Sequence, residues 1–171
     1  MRKSTFFAPK ANGTLLTNCP LCSTIEAQKF AGYTMGKNSC KTYFIITGQF
    51  DPHKLTKALE IEPFKQHTST DLRRDGKPFG FCSWCACLCQ TYDPIVANQM
   101  EKTIEPLLGK EELLQMICQQ GNCQLGLSVV PHVYVDEPSP CLAPSHKVMN
   151  FCLQTGTELD IDLYTYNSDD E

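Results

Sequence analysis

A run of uncharged residues, Phe79–Gln90, constrains the fold of this chain more than any other part of the sequence. It predicts a long β-strand, in which successive side chains point to opposite faces. The two alternating sets are Cys82, Trp84, Ala86 and Leu88 on one face, and Phe79, Phe81, Ser83, Cys85, Cys87 and Cys89 on the other. Because neither face carries a charge, we expect a central strand that is covered on both sides or meets another segment.

Three further segments show strand patterns. Residues 42–47 are rich in β-branched and aromatic residues and end at Gly48. Residues 124–135 also predict a strand, in which Pro131 indicates a bulge or an edge position. Residues 159–164 alternate apolar and polar side chains and predict a last strand with one polar face.

Helix starts are marked by capping residues. Asp51-Pro52 and Asp93-Pro94 each combine an N-cap residue with a proline in the first turn. Ser145 caps a later helix that ends at Gly156, and another helical piece follows Glu111. The resulting order, β-α-β-α-α-β-α-β, predicts a single α+β domain with a four- to five-stranded mixed or mainly antiparallel sheet.

Composition narrows the class of protein. The chain has 171 residues and a net charge of -4, and its apolar content is too high for a disordered protein. No apolar run approaches the ~18 residues of a membrane span, and a sequence pI near 5.6 argues against a nucleic-acid partner. We expect an N-terminal extension over residues 1–40, an α+β domain over 41–166 and an acidic tail over 167–171.

Eleven cysteines are the unusual feature of the composition. The N-terminus shows no secretory signal, so we expect a cytoplasmic protein with mainly reduced thiols. The spacing of Cys19 and Cys22 allows both thiolates to face one structural zinc ion, with Cys82 and Cys85 as possible further ligands. Other possible ligands are Cys40, His53 and His67. Alternation places Cys82 and Cys85 on opposite strand faces, so a site that uses both requires a bulge. Two ordinary thiols or a redox-active pair are the alternatives for Cys19 and Cys22.

The remaining candidates favour structural roles. Cys85, Cys87 and Cys89 are expected to line one strand face and to pack as small hydrophobic side chains. Asp160 and Asp162 share a strand face, where carboxylates can bind a cation or simply discourage edge-to-edge pairing. The basic turn at residues 73–77 is expected to be solvated, and no nucleotide-binding motif is present.

Both ends of the predicted domain resemble a bacterial family known as domain of unknown function 4279. The resemblance rests on residues 42–63, which read strand, glycine, acidic loop, helix and a Leu-x-Ile-x-Pro exit, and on the closing strand at 156–164. Trp84 also fits the family pattern, so the match spans about residues 42–166. It implies a small cytosolic domain with no agreed activity, some of whose members look like accessory or immunity-type proteins. The resemblance explains neither the first 40 residues nor the high number of cysteines.

These observations lead to three hypotheses about function. The first is a non-enzymatic domain that binds another protein, since the sequence contains no recognisable catalytic constellation. The second is a structural module stabilised by one zinc ion, and the third is a thiol-based redox enzyme or sensor. Apart from the zinc ion, no cofactor is expected.

Overall fold

A computed structural model describes residues 36–167. Within this range the chain forms six strands: β1 (Ser39–Gly48), β2 (Lys65–His67), β3 (Cys82–Cys89), β4 (Gln124–Tyr134), β5 (Glu158–Ile161) and β6 (Tyr164–Tyr166). It also forms four α-helices: α1 (Pro52–Leu59), α2 (Val96–Ile104), α3 (Glu111–Gly121) and α4 (His146–Thr155). A short 3₁₀ turn, Glu105–Leu107, follows α2.

All six strands belong to one sheet, in the spatial order β2-β3-β1-β4-β5. Strand β6 continues the line of β5 and also pairs with β4. The pairs β2–β3, β3–β1 and β1–β4 are antiparallel, whereas β5 and β6 run parallel to β4. The predicted α+β class and mixed sheet are therefore confirmed.

The helices cover one face of this sheet. Phe44, Trp84 and Leu127, from β1, β3 and β4, are fully buried in a single hydrophobic core. All four helices contribute buried apolar side chains to the same core. The ring of Phe44, for example, meets Phe151 of α4 edge-on, with centroids 6.1 Å apart. Because one core contains the buried side of every helix, the opposite face of the sheet faces away from them.

Three helix boundaries follow from local capping. Asp51 caps α1 by accepting hydrogen bonds from the backbone of His53 and Lys54, at 2.9 and 3.2 Å. Ser145 caps α4, and Gly156 ends it with a positive φ of 71°. These three predictions are confirmed.

The predicted cap at Asp93-Pro94 is wrong. Ile95 forms an isolated parallel bridge with Cys141, which keeps the chain extended there and delays α2 until Val96. The first backbone N–H of the helix donates to the Cys141 carbonyl at 3.0 Å. Asp93 instead accepts a hydrogen bond from the backbone of Ile95, before the helix begins.

Strand β3 carries a bulge that its sequence does not reveal. Phe44 pairs with Ala86 but Thr42 pairs with Cys89, so β3 holds one residue more than β1 over this interval. The extra residue is accommodated at Cys87, whose φ of 57° lies in the left-handed region. Side-chain alternation along β3 is therefore interrupted after Ala86.

The predicted alignment of Cys85, Cys87 and Cys89 on one face is consequently wrong. Cys85 pairs with Ile45 on the face away from the helices. Cys89 pairs with Thr42, which is buried beneath α2, and Cys87 packs against the hydrophobic core. Strand β3 is an interior strand of the sheet, with β1 on one side and the short strand β2 on the other.

Pro131 occupies an interior strand without causing a bulge, contrary to the prediction. The pairing of β4 with β1 runs without a register shift past this residue. The backbone N–H of Asp162 donates to the Val129 carbonyl, so the polar groups of Val129 point toward β5. Those of Pro131, two residues further on, point the same way, and proline supplies no N–H there. The predicted single last strand is interrupted at this point, between Ile161 and Tyr164.

Strand β2 is the one strand of residues 36–167 that lies outside the four segments with a strand pattern in the sequence. Lys65, Gln66 and His67 pair with Cys85, Trp84 and Ser83. The segment is too short and too polar for a strand signal, so only its pairing with β3 identifies it. Over residues 36–167, the structure has no helix that is long and apolar enough to cross a membrane.

Candidate functional site

The face of the sheet away from the helices, here called the open face, is the candidate site. Alternation along β1 places Lys41, Tyr43, Ile45 and Thr47 on this face, since Phe44 and its even-numbered neighbours enter the core. Cross-strand pairing extends the same face to the even-numbered residues of β4, β5 and β6. No helix of the described region contributes to it.

Four ring side chains from β4 and β6 meet on the open face: His132, Tyr134, Tyr164 and Tyr166. We call this group the aromatic surface. Tyr43 lies on the same face, where its ring contacts Phe64. The His132 ring stacks on Tyr164 and Tyr166, with centroids 5.2 and 5.6 Å apart, and Tyr134 stacks on Tyr166 at 5.4 Å. Such packing holds the rings in place while leaving part of each exposed; Tyr164 retains 45% of its accessible area.

Polar contacts fix the orientation of these rings. The His132 Nδ1 atom lies 2.9 Å from the Tyr166 hydroxyl. The Tyr164 hydroxyl donates to the Asp162 carboxylate at 2.7 Å, and this hydrogen bond raises the pKa of Tyr164. The Lys37 ammonium lies 5.3 Å from the centre of the Tyr134 ring, which is a cation–π distance.

Acidic side chains border the aromatic surface at the edge of the sheet. Glu158 and Asp160 pair with Gly126 and Ser128 of β4, so they share the open face. Both carboxylates are exposed, as is Asp162. Asp160 and Asp162 therefore lie at an exposed sheet edge, the setting in which they discourage edge-to-edge pairing.

The four cysteines predicted as possible zinc ligands divide into two sets. Cys19 and Cys22 lie outside the described residues, so the zinc hypothesis remains a prediction. Cys82 pairs with Gly48 on the helix-covered side and Cys85 with Ile45 on the open face, so β3 does not bring their thiols together. Within residues 36–167 no group of three or more His, Cys, Asp or Glu side chains is arranged to hold a metal ion.

Burial makes several of the thiols poor nucleophiles. It raises the pKa of Cys40 and of Cys87 to about 11. It also raises the pKa of four further thiols: Cys85, Cys118, Cys123 and Cys152. A reactive cysteine requires the opposite shift, because the thiolate is the nucleophile. These six side chains are therefore suited to apolar packing.

The helix side offers two open grooves. One, of about 320 Å³, is lined mainly by charged residues in α2 and on either side of it and by Lys147, whose ammonium lies 4.0 Å from Glu101. The other, of about 330 Å³, lies between α3 and α4 beside Leu153. Both are open, unlike the enclosed apolar pockets that bury small ligands.

The aromatic surface was not predicted from the sequence. The pairs His132 with Tyr134 and Tyr164 with Tyr166 are each spaced by two residues, which is the only local signal that their rings share a face. The two pairs meet only because β6 lies beside β4. The order of strands in the sheet creates this surface.

Comparison with protein families identifies the family of this chain. A family described as a domain of unknown function, DUF4279, matches residues 38–166. The chain belongs to this family. The DUF4279 match starts one residue before β1 and ends with β6, so it includes the whole sheet and all four helices. No curated protein and no solved structure shows significant similarity to the chain.

Proposed function

We propose that this DUF4279 domain is a protein-binding module whose interface is the aromatic surface. The observation that supports the proposal is a contiguous set of partly exposed rings on a sheet face to which no described helix contributes. Tyrosine is enriched among the few residues that dominate binding energy in protein interfaces. Its ring provides a large contact area and its hydroxyl a polar handle.

The stacking contacts favour binding because they reduce its entropic cost. Tyr134 and Tyr164 belong to a regular sheet and are supported by neighbouring rings. Side chains that are already ordered lose little freedom when a partner arrives. The aromatic surface is therefore organised in advance for contact.

Charge indicates which partners it suits. The acidic border at Glu158, Asp160 and Asp162 attracts lysine and arginine side chains and repels acidic ones. The Lys37 ammonium over Tyr134 is an example, within this chain, of a cation on one of these rings. A partner that presents basic residues is thus favoured.

Paired variants test the proposal. Tyr164→Ala removes the most exposed ring of the aromatic surface, and Phe81→Ala removes a ring of similar exposure, 40%, near the opposite edge of the sheet. Proteins captured from an extract of the source cells by the wild type are identified and purified, and their affinities are measured directly. Tyr164→Ala is expected to weaken a specific partner by about tenfold or more, while Phe81→Ala leaves it unchanged.

The proposal is overturned if every partner of the wild type binds Tyr164→Ala equally well, or if no specific partner is recovered. An equal loss with Phe81→Ala also contradicts it, since that result assigns the effect to general destabilisation. Melting temperatures of both variants are compared with the wild type to monitor folding.

The zinc hypothesis is a second proposal, supported only by the spacing of Cys19 and Cys22. Its test is the metal content, by mass spectrometry, of full-length protein purified without added zinc. One zinc ion per chain that is lost in Cys19→Ser supports a structural site. Unchanged metal content and melting temperature in that variant remove it.

A further inference from the structure

The outer edge of the sheet at β5 and β6 presents backbone groups that pair with no strand in residues 36–167. The backbone N–H of Asp162 donates to Val129, and the carbonyl of Tyr166 accepts from Val135, so the even-numbered residues point toward β4. The odd-numbered residues from Leu159 to Thr165 therefore direct their N–H and C=O groups outward. Among the described strands, none pairs with this side.

The gap between β5 and β6 does not change the register of this edge against β4. Leu127 pairs with Leu159 and Val133 with Thr165, so the offset between β4 and the two short strands is the same on both sides of the gap. The outward groups from Leu159 to Thr165 thus follow one line about 20 Å long. A strand of about seven residues fits this length.

The side chains of the edge alternate in chemistry. Leu159, Ile161 and Leu163 are 36%, 40% and 50% exposed, respectively, which is high for large apolar side chains beside a sheet. The acidic residues Glu158 and Asp160 lie on the other face of the same strand. An added strand therefore meets apolar side chains on one face and carboxylates on the other.

The opposite edge of the sheet is different. Strand β2 has only three residues, and the segment after it folds back, with His67 stacked on Phe79 at 3.8 Å. Backbone hydrogen bonds within that segment, such as Gly80 to Ser69, hold it together. Short or covered edges resist strand addition, so the two edges are unequal.

We propose that the β5–β6 edge binds an extended segment of the partner protein that alternates lysine or arginine with apolar residues. The proposal deepens the proposed function and rests on it. Backbone hydrogen bonds to the outward groups supply affinity, as in other cases of strand addition. The basic side chains lie opposite Glu158, Asp160 and Asp162, beside the aromatic surface, and the apolar ones cover Leu159, Ile161 and Leu163.

Charge favours this occupant over a second copy of the chain. Two β5–β6 edges bring the same acidic side chains together, and in antiparallel pairing centred on Ile161 each Asp160 lies opposite an Asp162. Like charges directly opposite each other destabilise a strand pair, whereas opposite charges stabilise it. A basic segment from another protein avoids this repulsion.

Designed peptides provide the direct test. A nine-residue peptide of alternating lysine and valine is titrated with the full chain by fluorescence anisotropy, and a peptide of alternating glutamate and valine is the matched control. The lysine peptide is expected to bind at least about tenfold more tightly at low salt, and this difference shrinks as salt rises. Equal binding of the two peptides overturns the proposal.

Methylation of the peptide backbone tests the hydrogen bonds without changing the protein. In a strand pair only alternate residues point toward the neighbour, so methylating one alternate set of amides abolishes binding and methylating the other does not. If methylation of the valine amides abolishes binding, the peptide adds antiparallel to the edge. If methylation of the lysine amides abolishes binding, it adds parallel to the edge. Binding that survives both methylations overturns strand addition.

Variants of the edge complete the test. Ile161→Pro removes an outward N–H but none that pairs with β4, so it is expected to abolish peptide binding, and Ile161→Val retains both the N–H and the binding. Glu158→Lys combined with Asp160→Lys is expected to reverse the preference between the two peptides.

These outcomes separate the two proposals. If Tyr164→Ala weakens the natural partner but Ile161→Pro and the double charge reversal do not, the aromatic surface remains the interface and strand addition is overturned. If none of the three affects the partner, both proposals fail. A dimer in analytical ultracentrifugation that Ile161→Pro dissociates identifies a second copy as the occupant and overturns the choice of a basic partner segment.

Discussion

The two faces of the sheet use similar side chains for different purposes. Phe44 and Tyr43 are adjacent in β1, yet Phe44 is completely buried beneath the helices and Tyr43 is only half-buried on the open face. The helix-covered face places its rings in one close-packed core. The open face stacks its rings on one another and leaves their outer surfaces accessible.

This difference shows how a single sheet separates stability from recognition. Burial of apolar area beneath four helices provides the main driving force for folding. Rings on the open face contribute less to folding because water still contacts them, and their remaining area is available to a partner. Changes on the two faces should therefore have unequal effects on stability.

The largest expected effect on stability comes from replacing a buried residue of β1, and the neighbouring residue on the open face provides the comparison. Phe44→Ala leaves a cavity in the core and should lower the free energy of unfolding by about 3–5 kcal/mol. Tyr43→Ala removes an edge-on contact with Phe64 and should cost about 1 kcal/mol. Urea denaturation of both variants measures the difference. Equal losses would show that the open face is as buried as the core.

Alkaline pH should affect the helix-covered side through its thiols. Burial raises the pKa of Cys40 and Cys87 to about 11, whereas an unperturbed thiol titrates near 9.0. Above pH 9 the unfolded chain loses these protons first, so the free energy of unfolding should fall as the pH rises from 9 to 11. Below pH 9 these thiols should make no pH-dependent contribution.

Urea denaturation at several pH values measures this slope. Cys40→Ala should flatten it, whereas Cys141→Ala, which removes an exposed thiol, should leave it unchanged. An unchanged slope in Cys40→Ala would contradict the assignment. The quantity compared is the change in the free energy of unfolding with pH. A loss of stability in Cys40→Ala that is the same at every pH therefore does not affect the comparison.

The smallest effect concerns the edge beside the open face. Pro131→Val supplies the N–H that β4 lacks, in a position to donate to the Asp162 carbonyl. The free energy of unfolding should change by no more than about 1 kcal/mol, while amide exchange at the junction of β5 and β6 should slow. A loss well above 2 kcal/mol would show that the N–H at this position meets no acceptor. Val133→Ala is the control that leaves the backbone unchanged.

Local signals in the sequence are sufficient to predict several helix ends. Asp51, Ser145 and Gly156 mark helix ends correctly because each cap depends on residues within one turn. The family was also recognised from its two ends, and its match extends over residues 38–166.

Predictions failed where a distant segment altered the local preference. Asp93 resembles a helix cap, but the bridge between Ile95 and Cys141 keeps the chain extended beyond it. Cys87 carries no glycine-like signal for its positive φ, since the bulge arises from the register between β3 and β1. The split of the last strand depends on Pro131, which lies in a different strand.

The fold class, the confirmed helix caps and the family follow from the sequence, because they depend on hydrophobic periodicity and on contacts between near neighbours. The candidate site does not, since His132 and Tyr164 come from separate segments of the chain. Their contact requires that β6 lies beside β4, with the four described helices on the other face. That arrangement results from which apolar faces bury one another, a property of the assembled domain.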